Sequence, residues 1–145
     1  AKTFKNIGSF SYPNKEGWGL TIDGTSLIMS DGTFKLTFIN PSDISIVQAL
    51  NVKENGYGVE KINELEYVNG YIYANVWMTN DIFKIDASNG KIVAKADFTK
   101  LANEAKSLNP NALEINGIAY DSLKNEFLIT GKFWPKVYRV RFNNQ

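Results

Sequence analysis

Asn63-Glu64-Leu65-Glu66-Tyr67-Val68-Asn69-Gly70-Tyr71-Ile72-Tyr73-Ala74-Asn75-Val76-Trp77 is the stretch whose reading decides the fold of this chain. Glu64–Val68 is a short apolar-rich run, and Tyr71–Trp77 is a second run rich in aromatic and branched residues. Between them Asn69-Gly70 is the dipeptide that tolerates positive φ at two successive positions, so the stretch predicts a β-hairpin. On the second strand Tyr71, Tyr73, Asn75 and Trp77 share one face, and Ile72, Ala74 and Val76 share the other. Neither face is polar enough to meet water along its whole length. The hairpin therefore belongs to a sheet covered on both sides.

Outward from this hairpin the same pattern recurs. Gly19-Leu20-Thr21-Ile22-Asp23-Gly24 precedes it and Ile118-Ala119-Tyr120-Asp121 follows it. The three occurrences are roughly 45 to 55 residues apart, close to the length of a four-stranded propeller blade. Second strands are expected at Ser26–Ser30, Tyr71–Trp77 and Glu126–Thr130, with Asp23-Gly24 as the first hairpin turn. Third strands are expected at Phe34–Ile39, Ile82–Asp86 and Lys136–Phe142. Fourth strands are expected at Ile44–Val52 and Lys91–Phe98, each after a polar turn. The prediction is an all-β propeller domain over 1–145, with blades at 11–52, 59–98 and 113–142. Residues 1–10 are read as an outer strand, from the extended run Thr3–Phe10. Residues 99–109 are read as a short helical connection, with Leu101, Ala105 and Leu108 at helical spacing, Thr99 as N-cap and Asn109-Pro110 as the stop. Lys53–Gly58 is read as a glycine-containing connector. Three blades are fewer than the four or more a ring needs, so further chain upstream or a partner is expected to complete it. The end faces are then expected to leave Leu27 and Met29, and Phe127 and Ile129, in need of cover.

Composition narrows the chemistry. Nine Phe, seven Tyr and three Trp favour all-β packing, and a net charge of +1 gives no reason to expect nucleic acid or an anionic membrane as partner. The absence of Cys and His removes thiol nucleophiles, imidazole bases and the usual zinc ligands, so no zinc site is expected, and no residue pattern calls for a cofactor. No run approaches the ~20 apolar residues of a membrane-spanning helix, and Ala1-Lys2-Thr3-Phe4 has no signal-peptide core. The chain is expected to be soluble, with any export signal removed or never present.

First and second strands of a blade are antiparallel, so residues before the first and after the second emerge at the same end. That places Gly17, Trp18, Asn63, Glu64 and Asn116, together with Asp31, Trp77, Lys132 and Trp134, on one rim. Tryptophan in such a fold ordinarily packs between blades, and Asp or Asn beside Gly ordinarily makes turns. Three tryptophans at equivalent ends exceed that ordinary expectation. Glu64 and Glu66 are the carboxylates nearest the central strands, with alternation expected to aim one of them at the axis.

These residues carry a resemblance. Glu16-Gly17-Trp18-Gly19-Leu20-Thr21 with Ser30-Asp31-Gly32, then Asn63–Tyr67 with Ala74–Trp77, then Asn116–Asp121 with Thr130–Pro135 resemble the glutaminyl cyclases (glutamine cyclotransferases) of plant-latex and bacterial type, in the family's order. The resemblance implies a five-bladed propeller and a metal-independent acyl transfer that converts an N-terminal glutamine of a peptide or protein into pyroglutamate with release of ammonia. It also implies an extracytoplasmic setting. Trp18, Asn63, Trp77 and Lys132 would line the central pocket. Lys132 and Asn63 are the candidate catalytic residues, and Trp18, Trp77, Asn116 and Glu64 the candidate substrate contacts. The family carries about two further blades upstream, with a carboxylate of the pocket that has no counterpart here. Two rival readings are a non-catalytic propeller that binds peptides or scaffolds a complex, and a sugar-active propeller using Glu64, Glu66 and Asp31. The second requires two carboxyl groups facing each other across one pocket.

Overall fold

The computed structural model describes residues 3–12, 14 and 16–142. A first antiparallel sheet runs in chain order through β1 (Gly19–Ile22), β2 (Leu27–Ser30), β3 (Lys35–Ile39) and β4 (Ile46–Asn51). A small hairpin, β5 (Lys53–Glu54) and β6 (Tyr57–Gly58), leads to a second sheet of β7 (Ile62–Val68), β8 (Tyr71–Val76), β9 (Asp81–Asp86) and β10 (Ile92–Asp97). Helix α1 (Thr99–Leu108) connects to a third sheet of β11 (Ile115–Asp121), β12 (Glu126–Gly131) and β13 (Tyr138–Val140). The sheets meet chiefly through their first strands, β7 lying against both β1 and β11. Sheets that each run outward in chain order from mutually packed first strands are propeller blades, so the fold is all-β and propeller-like.

The central hairpin turns at Asn69 (φ 49°) and Gly70 (φ 85°), as the dipeptide requires. Its second strand feeds two cores. Ile72, Ala74 and Val76 pack with Ile28, Leu36 and Phe38 of the first sheet, while Tyr73 packs with Ile115, Ile118, Phe127 and Ile129 of the third. β7 and β11 each carry a bulge, between Ile62 and Leu65 and between Ile115 and Ile118. The extra residue lets Ile62 and Leu65, three apart, reach the same core, and does the same for Ile115 and Ile118.

Between sheets the fold is pinned by buried polar side chains. Ser30 Oγ accepts the Gly19 N–H (2.8 Å) and donates to the Asn63 carbonyl (2.6 Å). One sheet later the fully buried Asn75 accepts the Glu64 N–H and donates to the Ile115 carbonyl, both at 2.8 Å. Each residue thus bonds its own first strand with one function and the next sheet's first strand with the other. A second bond repeats alongside: the Tyr67 N–H donates to Thr21 Oγ1 (3.1 Å) and the Tyr120 N–H to Glu66 Oε1 (2.9 Å). Gly19 makes the approach possible, since a methyl group there would run into the Asn63 carbonyl.

Several expectations are corrected. Residues 3–10 form no strand, and Phe4, Ile7 and Phe10 are exposed; residues 1–2 lie outside the described residues. The apolar side chains of that segment fall at every third position, so neither face of a strand is continuously apolar, and among the described residues its backbone pairs with none of the sheets. The α1 N-cap is Phe98 without a side-chain bond, and Asp97 Oδ1 instead accepts the Thr99 N–H (2.7 Å). The connector at 53–58 is a hairpin whose Asn55-Gly56 repeats the turn dipeptide of the central one. Asp23-Gly24 lies within a longer loop, Asp23–Ser26, closed by Asp23 Oδ1 accepting the N–H groups of Thr25 and Ser26. Met29, Phe127 and Ile129, expected on uncovered faces, are buried: the last two face the second sheet, and Tyr12 lies over Gly17 beside Met29. The apolar residues left exposed on the first sheet's inner strand are Leu20 and Ile22.

Replacing Asn75 by Ala removes both bonds of a buried amide and orphans an N–H on one sheet and a carbonyl on the next. The expected loss is about 2–4 kcal/mol of unfolding free energy, measured by urea denaturation. A loss below about 1 kcal/mol would show that the sheets do not depend on this link.

Candidate active site

Trp18, Asn63, Trp77, Asn116 and Lys132 line one open pocket of about 240 Å³ at the rim where the first strands begin. At about 30 Å³ per water this is space for about eight waters, room for one long side chain such as glutamine. Each of the three larger sheets contributes to it. Trp18 immediately precedes β1, Asn63 and Asn116 sit in the bulges of β7 and β11, and Trp77 and Lys132 directly follow β8 and β12. The bulges take Asn63 and Asn116 out of register, one route by which a strand turns a side chain toward a site.

The turns after the second strands share one backbone feature. Gly32 (φ 80°), Met78 (φ 66°) and Phe133 (φ 59°) follow Asp31, Trp77 and Lys132 in the left-handed region. For residues as bulky as Met and Phe that conformation costs roughly 1 kcal/mol or more, and such strain gathers at functional sites. Both side chains are exposed, so no core packing rewards the conformation.

The two pocket tryptophans stand edge to face, centroids 5.5 Å apart and planes at 89°. Their indole N–H groups are already committed: Trp18 Nε1 donates to Glu16 Oε2 (2.7 Å) and Trp77 Nε1 to Glu114 Oε1 (2.8 Å). Lys132 Nζ donates to the same Glu114 oxygen at 2.7 Å, and this bond is the main reason the Glu114 carboxyl titrates below its ordinary value. Asn63 is buried, yet its side-chain amide makes no hydrogen bond within the described residues, and neither does that of Asn116. Their amide groups are thereby available to a ligand. What the pocket offers is one cation, two free amides and two fixed aromatic walls.

Three expectations about this rim are corrected. Trp134 is buried, its indole N–H donating to the Leu113 carbonyl (2.8 Å) and its ring packed edge to face on Tyr138, so it is inter-strand packing. Asp31 accepts from Asn14 (2.8 Å) and from the Thr33 hydroxyl (2.6 Å) and closes a turn. Glu64 does not line the pocket. Strand alternation gives Glu64 and Glu66, two apart, the same face, and Glu66 on that face reaches the third sheet. The expectation that only one of them faces inward is therefore mistaken. The Glu64 carboxyl is pushed up first by burial and then by the neighbouring Glu66 charge; Glu66 is raised by burial, partly offset by the Tyr120 N–H. Two carboxylates side by side on one strand are not a pair facing each other across a pocket, and the sugar-active reading loses its required feature. Glu114 is not among the expected residues: the matching position of the second repeat is Lys61, and its place at the rim rests on its contacts to Lys132 and Trp77.

Fold and site together define a class: a segment of a β-propeller whose central strand ends carry a small pocket of aromatic, amide and ammonium groups. The chain belongs to the glutamine cyclotransferase family, whose sequence profile matches residues 1–142. It is 34% identical over 141 residues to an Arabidopsis thaliana glutaminyl-peptide cyclotransferase, an alignment covering 97% of this chain and 44% of that protein. Among solved structures it is similar to Myxococcus xanthus glutaminyl cyclase, with 41% identity and a TM-score of 0.82 over 88% of this chain and 56% of that one. Kluyveromyces lactis Hsv2, at 8% identity and a TM-score of 0.58, covers 89% of this chain and 33% of its own, and shares the fold alone. The chain thus spans less than half the length of the curated relative it matches. No helix among the described residues is long and apolar enough to cross a membrane.

A raised carboxyl binds its proton more tightly in the folded state, so stability falls as pH rises from the unfolded-state value of glutamate through the folded one. Glu64→Gln should therefore raise Tm at pH 7, by about 1–3 °C because solvent screening limits the effect, and the gain should vanish once the pH drops below about 4. Thermal unfolding at both pH values checks this; a gain that persists in acid would remove the carboxylate as its cause.

Proposed function

We propose that the protein of which this chain is part is a glutaminyl-peptide cyclotransferase, acting on peptides or proteins with an N-terminal glutamine. The observation that carries the reading is the convergence of Trp18, Asn63, Trp77, Asn116 and Lys132 on one pocket in a chain of this family. In the reaction the α-amine attacks the side-chain amide carbon, a five-membered lactam forms, the bond to the amide nitrogen breaks, and ammonia leaves carrying a proton from the amine. The attacking amine must be unprotonated, with an ordinary pKa near 8, and the amide is a poor electrophile. Orientation and oxyanion stabilisation are therefore the main demands.

In this reading the demands fall to different groups. Both indole N–H groups are engaged by carboxylates, so the faces of Trp18 and Trp77 hold the curled glutamine chain while their dipoles remain bound to protein. Lys132 spends one of its three N–H donors on Glu114 and has donors left for the developing oxyanion. Asn63 and Asn116 supply amides that can hold the substrate amide and amine. Glu114 is a poor proton acceptor, since two donors already point at it. The acceptor is then provided by the remainder of the ring, in upstream blades or a second chain. The same family reading favours metal-independent turnover and an extracytoplasmic site of action.

Ammonia release from a dipeptide beginning with Gln, followed with the full-length protein, tests this reading. Activity should persist in strong chelator, and Lys132→Met should lower the catalytic rate by about 100-fold or more, the usual cost of one oxyanion donor. A rate within a few-fold of the parent would return Lys132 to an ordinary surface charge, and loss of turnover in chelator restored by added metal would overturn the metal-independent reading.

A further inference from the structure

We propose that Glu114 is a positioning residue of this pocket, one carboxylate oxygen holding the Lys132 ammonium and the Trp77 indole at once, so that cation and aromatic wall are set as a unit. Glu114 Oε1 accepts from Lys132 Nζ at 2.7 Å and from Trp77 Nε1 at 2.8 Å. Two backbone bonds hold the carboxylate's own segment: the Lys132 N–H donates to the Glu114 carbonyl (3.1 Å) and the Leu113 N–H to the Lys132 carbonyl (2.9 Å). An exposed ion pair between flexible side chains would contribute little. Here the carboxylate is 20% exposed, its backbone is already fixed to that of its partner, and the third member lies on another sheet.

The consequence reaches across the pocket. Glu114 and Lys132 flank the third sheet, whereas Trp77 ends the second, so this oxygen bridges two sheets at the point where substrate would lie. Trp77 stands edge to face against Trp18, so freeing its indole also loosens the contact to the first sheet. An unanchored indole N–H would compete with Lys132 for an oxyanion, and an unanchored ammonium would swing toward solvent, Lys132 being 43% exposed. Glu16 does for Trp18 what Glu114 does for Trp77, which marks the carboxylate-anchored indole as a device used twice at this rim.

The proposal rests on the cyclotransferase reading, and its test separates the two. Full-length protein with ¹⁵N-labelled tryptophan gives an indole resonance for Trp77, with far-UV circular dichroism and Tm as the controls of folding. Glu114→Ala should shift the Trp77 resonance, leave the circular dichroism unchanged, and lower kcat by about 10- to 100-fold with KM changed only a few-fold, the usual effect of losing an outer-shell partner. The isosteric Glu114→Gln keeps an acceptor for the indole but not the charge, so the Trp77 resonance should stay near the parent position while kcat still falls. An unmoved Trp77 resonance in Glu114→Ala, or a kcat within two-fold of the parent in both variants, overturns the proposal. Absence of ammonia release by the unaltered protein overturns the function instead, and the Trp77 resonance in Glu114→Ala still decides whether the carboxylate positions the wall.

Discussion

The bond from Asn75 to the Ile115 carbonyl, with its counterpart from Ser30 to the Asn63 carbonyl, is the constraint on which the arrangement of sheets depends. Apolar burial holds neighbouring sheets together but does not set their register, because a core of Ile, Val and Phe tolerates small slides. A buried amide or hydroxyl that must satisfy one group on its own sheet and one on the next tolerates none: a slide of about an ångström would leave donors and acceptors unpaired at about 1–3 kcal/mol each. Asn63, whose carbonyl receives the Ser30 bond, and Asn116, next to the Ile115 carbonyl that receives the Asn75 bond, both line the pocket. The bonds that fix the sheets therefore also fix the site.

This coupling explains why the pocket can be built from three sheets and still be small. Trp18, Asn63 with Trp77, and Asn116 with Lys132 arrive from successive sheets; the last four each stand in a bulge or beside a left-handed turn, and the Trp18 ring lies against the left-handed Gly32. Local strain at Met78 and Phe133 is tolerated because the surrounding ladders over-determine the backbone there. Function at such a rim demands fixed side chains, and the rigid inner strands supply them.

Much of this was legible in the residues. Asn69-Gly70 between alternating runs specified the hairpin, its recurrence specified the repeated sheets, and Thr99–Leu108 matched its helical spacing. What escaped has identifiable physical causes. The bulges at 62–65 and 115–118 look like strand starts after Asn63 and Asn116, although Ile62/Leu65 and Ile115/Ile118, apolar pairs three apart beside a strand, carry the signal of an inserted residue. Trp134 falls at the rim by sequence position, which marks the end of a strand but not the side to which a ring folds back. Glu114 was invisible because its role comes from two contacts, one to a residue of another sheet, that no spacing announces. Glu64 stands next to the pocket residue Asn63 in sequence, but alternation sends neighbours to opposite faces.

The account stands or falls on where the lactam sits. A crystal structure of the whole protein with a pyroglutamyl peptide, the product of the proposed reaction, tests this most directly. The account predicts the lactam ring against Trp18 and Trp77 with its carbonyl oxygen within hydrogen-bond distance of Lys132 Nζ and a side-chain amide of Asn63 or Asn116 on the peptide. A lactam bound elsewhere, or one in this pocket with its carbonyl turned away from Lys132, would contradict it.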